Sequence, residues 1–219
     1  MGTNYEMHQD LDHMSGETAI DIGAHIGSYT LRLARGFRHV IAFEPNPFTC
    51  HILRLNLQLN KIRNVRVEET ALSDTNGVSP LYLQRTTGGN GSLNPHHYGF
   101  KYDTLVQVKV RRLDDFEIPE LDLLKIDAEG NELRILKGAS HTLDRTRPIL
   151  AVEVHRSKNP FGSTCDCQTC TYIRSRSYEL KLLGDYAATP VHWVLATPLE
   201  KAPVKVEGGW LSGTGHVGE

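Results

Sequence analysis

Asp21-Ile-Gly23-Ala-His25-Ile-Gly27-Ser28 lies between a β-branched run and a helical stretch. Glycines in such a turn let the backbone reverse sharply and let a ligand approach closely. Glu44 follows 21 residues after Gly23, at the end of the next apolar run. An acid at that offset can accept hydrogen bonds from both hydroxyls of a ribose. Lys125, Asp127 and Glu129 cluster at the end of a later apolar run, and Glu153 and His155 end the one after it. Period-two alternation puts Lys125 and Asp127 on one strand face, and Glu153 and His155 on one face of the next strand. If the strands are neighbours, four ionisable groups meet at one sheet end, where they could push pKa values apart and carry acid–base work. The structural alternative is a Lys125–Glu153 ion pair that closes the strand ends. Cys165-Asp-Cys167-Gln-Thr-Cys170 adds three thiols within six residues.

The details of the glycine turn narrow its ligand. A dinucleotide fingerprint reads G-x-G-x-x-G, but here His25 and Ser28 stand at the second and third glycine positions. Pyrophosphate needs unobstructed backbone at the helix start, so NAD and FAD are disfavoured. No G-x-x-x-x-G-K-[ST] run exists, so a P-loop is absent. A ligand with ribose and no phosphate fits better, and S-adenosylmethionine is such a ligand. Its amino-acid end would lie beside the turn, where Asp21 could help to hold a cation. The alternative is a glycine turn that binds nothing.

Methyl transfer from a sulfonium mostly requires alignment of nucleophile and methyl group. A hydroxyl nucleophile must also lose a proton, and Asp127, His155 or His25 could take it. His25 could equally be a loop residue packed beside the cofactor. Asp127, Glu129 and His155 could instead hold a divalent cation that orients a diol. The three cysteines could be ligands of a structural zinc ion, which wants four. His155 or Cys50 could be the fourth, though spacing places neither. A local disulfide and plain loop thiols are the alternatives. A His155 bound to metal there could not also be the base.

Elements that can position these groups follow from periodicity. Strands are expected at Thr18–Gly23, His39–Glu44, Val65–Leu72, near Leu81–Leu83, Thr104–Arg112, Leu121–Asp127, Pro148–His155, and near Glu179–Leu183 and His192–Ala196. Helices are expected at about Gly27–Arg35, Phe48–Asn60, Asn131–Leu143 and Cys170–Ser177. The second of these carries an Ile52, Leu55, Leu59 stripe. Alternation of strands and helices predicts an α/β fold with a mostly parallel sheet. Ligands then bind at the C-terminal strand ends where the strand order reverses, so Asp127, Ala128, Glu129 and Gly130 should face the reacting group. Residues 85–100, with Asn90, Ser92, Asn94, His96 and His97, read as a polar lid or an exposed hairpin loop. Residues 1–199 are expected to form one domain with an irregular cysteine-bearing insertion at about 157–170, followed by a glycine-rich tail over 200–219.

Composition bounds the partners. Hydrophobic residues make up 39% of the chain, enough for a core, and the formal charge is −2. A near-neutral chain lacks the basic field of a dedicated nucleic-acid or anionic-membrane binder. No apolar run is long enough to span a bilayer, and the N-terminal residues carry no apolar signal core. A cytoplasmic protein is therefore expected.

Several blocks together resemble the FkbM-type family of S-adenosylmethionine-dependent methyltransferases. They are DIGAHIGSYTLRLAR, FEPNPFTCHILRLNLQLN, ETALSDTNG, LDLLKIDAEGNELRILKGA and ILAVEVH, which run in family order from about Thr18 to His155. The resemblance implies a Rossmann-like class I methyltransferase fold, a seven-stranded sheet with its last strand antiparallel and helices on both faces. It implies O-methylation of a hydroxyl on a sugar or small natural product. By the same resemblance Asp21, Gly23 and Gly27 would cradle the methionine end of the cofactor, Glu44 the ribose, and Ala71, Leu72 and Ser73 would lie near adenine. The cysteine cluster is no part of that resemblance. Rival functions are an RNA ribose 2′-O-methyltransferase, a non-catalytic S-adenosylmethionine-binding module and a nicotinamide-dependent oxidoreductase. Against the first, enzymes with a Lys-Asp-Lys-Glu set need a lysine before the glycine turn, and no lysine precedes Lys61.

Overall fold

A computed structural model describes residues 11–84, 91–95, 102–155, 165–183 and 191–201. The first half of the chain forms β1 (Gly16–Ile22), α1 (Thr30–Gly36), β2 (Phe37–Phe43), α2 (Pro47–Leu59), β3 (Val65–Glu68), β4 (Ala71–Leu72), β5 (Gly77–Leu83) and β6 (Thr104–Arg111). The second half forms β7 (Leu123–Ile126), α3 (Glu132–Gly138), α4 (Ser140–Thr146), β8 (Ile149–His155), α5 (Gln168–Ser175), β9 (Tyr178–Leu183) and β10 (Val191–Pro198). Seven strands make one sheet in the order β3-β2-β1-β7-β8-β10-β9. Its strands run parallel except β10, which is antiparallel to both β8 and β9. The expected α/β architecture, with the last strand reversed, is therefore the one observed.

The sheet's residues alternate between two cores, as period-two geometry requires. Ile20, Ile22, Leu124, Ile126, Leu150, Val152 and Val154 face α3, α4 and α5. Ala19, Leu123 and Ala151 face the other way, with Leu33 of α1 and Trp193 of β10. Both faces are apolar because helices cover both, the usual condition of a parallel sheet.

Several elements differ from their sequence expectation. The run Val65–Leu72 divides between two sheets. β3 ends at Glu68, the Thr70 amide bonds back to the Glu68 carbonyl, and β4 joins a second sheet of order β4-β6-β5. The helix expected from Asn131 to Leu143 breaks at Ala139. Gly138 packs so closely on Ser73 that a Cβ there would lie 2.0 Å from the Ser73 carbonyl oxygen. The new helix, α4, is capped from afar, because the Asp114 carboxylate accepts from the amides of His141 (3.1 Å) and Thr142 (2.8 Å). On α2 the buried stripe is Cys50, Leu53 and Leu57, while Leu55 and Leu59 of the expected stripe are exposed. The helix carries apolar residues on both sides, and the small Ala24 and Ala42 decide which side docks. Helix α2 starts at Pro47, one residue before the expected Phe48, with the Asn46 side chain accepting from the Phe48 amide at 3.1 Å. Helix α1 begins at Thr30 and not at Gly27, since the turn continues through Gly27 at φ 99°.

Of the expected loop over 85–100 only residues 91–95 are among the described residues, so Asn90, His96 and His97 lie outside them. Residues 157–164 of the irregular segment and the tail from residue 202 also lie outside. Among the described residues no helix is long and apolar enough to cross a membrane.

Candidate active site

The strand order reverses between β1 and β7, and the turns after β1, β2 and β7 meet there with the end of β8. Such a reversal opens a crevice at the C-terminal strand ends. A cavity of about 360 Å³ at the opposite strand ends, lined by Thr18, His39, Asn64 and Glu120, contains none of the candidate groups.

The glycine turn is held from inside. The Gly23 and Ala24 amides both donate to the Phe43 carbonyl, at 3.0 and 3.1 Å, and the Gly27 amide donates to the Ala24 carbonyl at 2.8 Å. The His25 amide donates to Glu44 Oε2 at 2.8 Å. These four amides are thus spent within the protein, which suits a ligand without phosphate. Gly23 and Gly27 also have packing reasons. At Gly23 (φ 72°) a Cβ would lie 1.7 Å from the Asp127 carbonyl oxygen, and at Gly27 it would lie 2.6 Å from Leu53 Cδ1. Close approach of neighbouring chain, as much as of a ligand, excludes side chains here. His25 adopts φ 50°, a left-handed conformation that few non-glycine residues take.

Asp21 does not reach the crevice directly. Its carboxylate is fully buried, accepts from Thr30 Oγ1 at 2.6 Å and pairs with Lys125 Nζ at 2.9 Å. Lys125, itself 1% exposed, also donates to the Gly23 carbonyl at 3.1 Å and lies 3.8 Å from Asp127 Oδ2 and 4.9 Å from the Tyr29 ring centroid. Burial alone would discharge this lysine, but the Asp21 and Asp127 carboxylates outweigh it and raise its pKa. The ion pair that Lys125 makes is with Asp21, and not the alternative pair with Glu153. The cause is register: Asp21 stands directly opposite Lys125 in the β1–β7 ladder. Asp21 acts on the turn through Lys125.

Glu44 follows β2 nearly buried, with the His25 amide on one oxygen and the Asn46 amide on the other at 2.9 Å. A carboxylate has about four acceptor positions, so capacity remains on each oxygen. Burial pushes its pKa from the usual 4.5 up to about 7, against the two amides. Ala71, Leu72 and Ser73 are all buried just beyond β3. The Leu72 carbonyl accepts from Asn131 Nδ2 at 2.8 Å, which ties this stretch to the start of α3.

The four ionisable groups expected at one sheet end do gather. His155 Nδ1 is 3.0 Å from Glu132 Oε1, and its Nε2 is 3.4 Å from Glu129 Oε2 and 3.5 Å from Glu153 Oε2. Burial opposes the imidazolium, but Glu132, Glu153 and Glu129 outweigh it and hold the pKa at about 9. An imidazole already protonated at neutral pH cannot accept a proton, which counts against His155 as the base. Glu153 is raised to about 9 by burial and by the adjoining Asp127, and it also accepts from Trp193 Nε1 at 3.0 Å. Glu132 is the residue that sequence reasoning missed; it is buried at the first turn of α3 and shows no spacing signal toward His155. The ligand atoms of Asp127, Glu153 and His155 all lie within 4.8 Å of one another. Glu129 is not in that set, so the metal-binding trio expected from sequence changes one member. Ser92 is buried and donates to the Glu129 carbonyl at 2.7 Å, so the described part of the 85–100 loop docks on the Asp127–Gly130 turn.

Residues 21–180 match the family described as Methyltransferase FkbM domain. The chain belongs to the FkbM methyltransferase family. Among its relatives, Methyltransferase 1 of Beauveria bassiana is 30% identical over 166 residues, covering 66% of this chain and 67% of that protein. The 31-O-demethyl-FK506 methyltransferase FkbM of Streptomyces tacrolimicus is 28% identical over 216 residues, covering 83% of this chain and 80% of that protein. The crystal structure of Methyltransferase FkbM from Methylobacillus flagellatus superposes with a TM-score of 0.60 at 20% identity, covering 87% of this chain. This FkbM-family chain spans 46% of that structure's length.

Proposed function

We propose that the protein binds S-adenosylmethionine at the β1–β7 crevice and methylates a hydroxyl oxygen of a sugar or small natural product. The observation that carries this reading is the contact of Asp127 with the glycine turn, seen in the Gly23–Asp127 approach and in Lys125, which faces both. It puts a carboxylate beside the place where the cofactor's methionine end would lie. The relative from Streptomyces tacrolimicus, which by its name restores a methyl at an oxygen, supports transfer to oxygen.

The residues present fit the cofactor. Glu44 has acceptor capacity for the ribose hydroxyls, and the turn's amides are engaged internally, as a phosphate-free ligand allows. When bound, S-adenosylmethionine supplies a methyl group on a positively charged sulfur. The protein's work is on the acceptor. Asp127, at 28% side-chain exposure, can accept the hydroxyl hydrogen bond and then the proton as the oxygen gains its methyl. Glu153 carries its own proton up to about pH 9 and His155 is positive over the same range, so neither competes for that role. Glu129 stands beside His155 and holds its charge. Ser92 donates to the Glu129 carbonyl and so ties down the Asp127–Gly130 turn.

Purified protein tests this directly. S-adenosylmethionine and S-adenosylhomocysteine are expected to raise the melting midpoint, NAD is not, and hydroxylated acceptor pools are expected to yield S-adenosylhomocysteine. Stabilisation by NAD with none by S-adenosylmethionine would reject the reading. The 4.8 Å trio favours a second reading, a divalent cation at Asp127, Glu153 and His155 that orients the acceptor. Turnover indifferent to added Mg²⁺ or Mn²⁺ rejects it.

Glu44 adds a pH signature. In the unliganded protein it keeps its proton up to about pH 7. Ribose hydroxyls donate to the ionised form, so binding requires that proton to leave. Affinity for S-adenosylmethionine is expected to fall by up to about tenfold per pH unit below about 7. Calorimetric titrations across pH check this, and Glu44→Gln should bind more weakly with a flat profile. The same shift acts on folding with the opposite trend. Glu44 binds its proton more tightly in the folded chain, so its contribution to stability declines as pH rises from 4.5 to about 7.

A further inference from the structure

We infer that Cys165, Cys167, Cys170 and His192 form a closed zinc site that fastens the chain beyond β8 to β10. Their ligand atoms all lie within 4.8 Å of one another. A tetrahedron with zinc–sulfur bonds of about 2.3 Å has sulfur–sulfur edges of about 3.8 Å, so small side-chain shifts close the site on one ion. His192 Nε2 is 3.7 Å from Cys170 Sγ. Cys165, Cys170 and His192 are each at most 2% exposed, and none of the cysteines is in a disulfide.

Local backbone already has the form of a metal knuckle. Cys167 caps α5 in an extended conformation (φ −62°, ψ 159°), and its sulfur accepts from the Cys170 amide at 3.4 Å. That bond brings two sulfurs together at the start of the helix and would stabilise a thiolate. Arg174, one turn further along α5, donates to the Cys165 carbonyl at 2.5 Å and fixes the third. Three thiolates and one neutral imidazole around Zn²⁺ leave a net charge of −1, and the Arg174 guanidinium stands close by to balance it. Thiolate-rich tetrahedral donor sets select zinc, and four protein ligands leave no open position, so the site is structural. Binding releases the thiol protons to solvent, which makes it pH-dependent.

His192 is the ligand that spacing along the chain did not place. It stands opposite Val154 in the β8–β10 ladder, on the face of the main core. His155, one residue beyond Val154 at the end of β8, meets Glu132, Glu129 and Glu153, so it belongs to the carboxylate cluster and not to the cysteines. Cys50 lies on α2, outside the set. The competition between base and metal ligand for His155 is thereby removed. Nine residues lie between His155 and Cys165. A metal at the cysteines would pin the far end of that connection next to the strand that carries the catalytic cluster.

The test uses the full-length protein, purified under reducing conditions without chelator. Elemental analysis after gel filtration should find about one zinc per chain. Exchange into cobalt should give tetrahedral ligand-field bands with thiolate-to-cobalt charge transfer, which the Asp127, Glu153, His155 trio cannot produce. Cys167→Ser keeps an oxygen cap on α5, so it should fold; it should lose the charge-transfer intensity in part and bind zinc at least about tenfold more weakly. Chelation should lower the melting midpoint of the wild type. Metal-free wild-type protein that gives no thiolate–cobalt spectrum would overturn the inference. So would a native mass two hydrogens light that maps to a disulfide within the cluster.

Discussion

Asp127→Asn is expected to reduce turnover by about 10²- to 10⁴-fold, the range that a positioned general base contributes. Asparagine keeps the shape beside the glycine turn but cannot take a proton. Affinity for S-adenosylmethionine should stay within about threefold, because Asp127 lies 3.8 Å from Lys125, whose main partner is Asp21 at 2.9 Å. The comparison needs two measurements on one preparation, S-adenosylhomocysteine formation at saturating acceptor and a calorimetric dissociation constant. A variant with normal binding and near wild-type turnover would remove Asp127 from the proton's path. Under the cation reading the loss would shrink on adding excess Mn²⁺, and a loss that ignores the metal favours the base.

Lys125→Met should be the most destabilising conservative-sized change in the sheet. It leaves the Asp21 carboxylate fully buried without its counter-charge, held by the Thr30 hydroxyl at 2.6 Å. Breaking a buried pair from one side costs about 3–5 kcal/mol, which lowers the midpoint by about 6–20 °C in a chain this size. The turn should suffer too, since Lys125 also bonds the Gly23 carbonyl. Denaturant unfolding measures the stability, and a double cycle with Asp21→Asn isolates the pair. Asparagine retains an acceptor for Thr30 and carries no charge, so the double variant should recover much of the loss. Equal destabilisation by Lys125→Met with and without Asp21→Asn would mean that lost packing, not the stranded charge, is the cause.

The sequence was most legible where one local rule acts alone. Helix α2, expected at about Phe48–Asn60, spans Pro47–Leu59, because a local start and a continuous helical run fix it. Glu44 was legible because strand length fixes how far the acid stands from the glycine turn. Alternation put Lys125 with Asp127 and Glu153 with His155, and the four groups do meet. The partners within that cluster were not legible. Asp21 faces Lys125 through the β1–β7 register, and Glu132 reaches His155 from a helix that period-two reasoning does not describe. The α2 stripe was misread for a related reason. Apolar residues occur on both sides of the helix, and the surface it meets selects one of them.

Sequence by itself determined the α/β alternation, the glycine turn with an acid after the next strand, and the family blocks, because each depends on residues close together in the chain. Tertiary structure alone decided which charge meets which. It paired Lys125 with Asp21, set His155 among Glu132, Glu129 and Glu153 and so kept it protonated, and broke the α3–α4 helix where Gly138 meets Ser73. It also brought His192 to the cysteines across 22 residues. Hydrogen bonds and ion pairs act over a few ångströms, and only the packing of strands and helices sets which distant residues come within that reach.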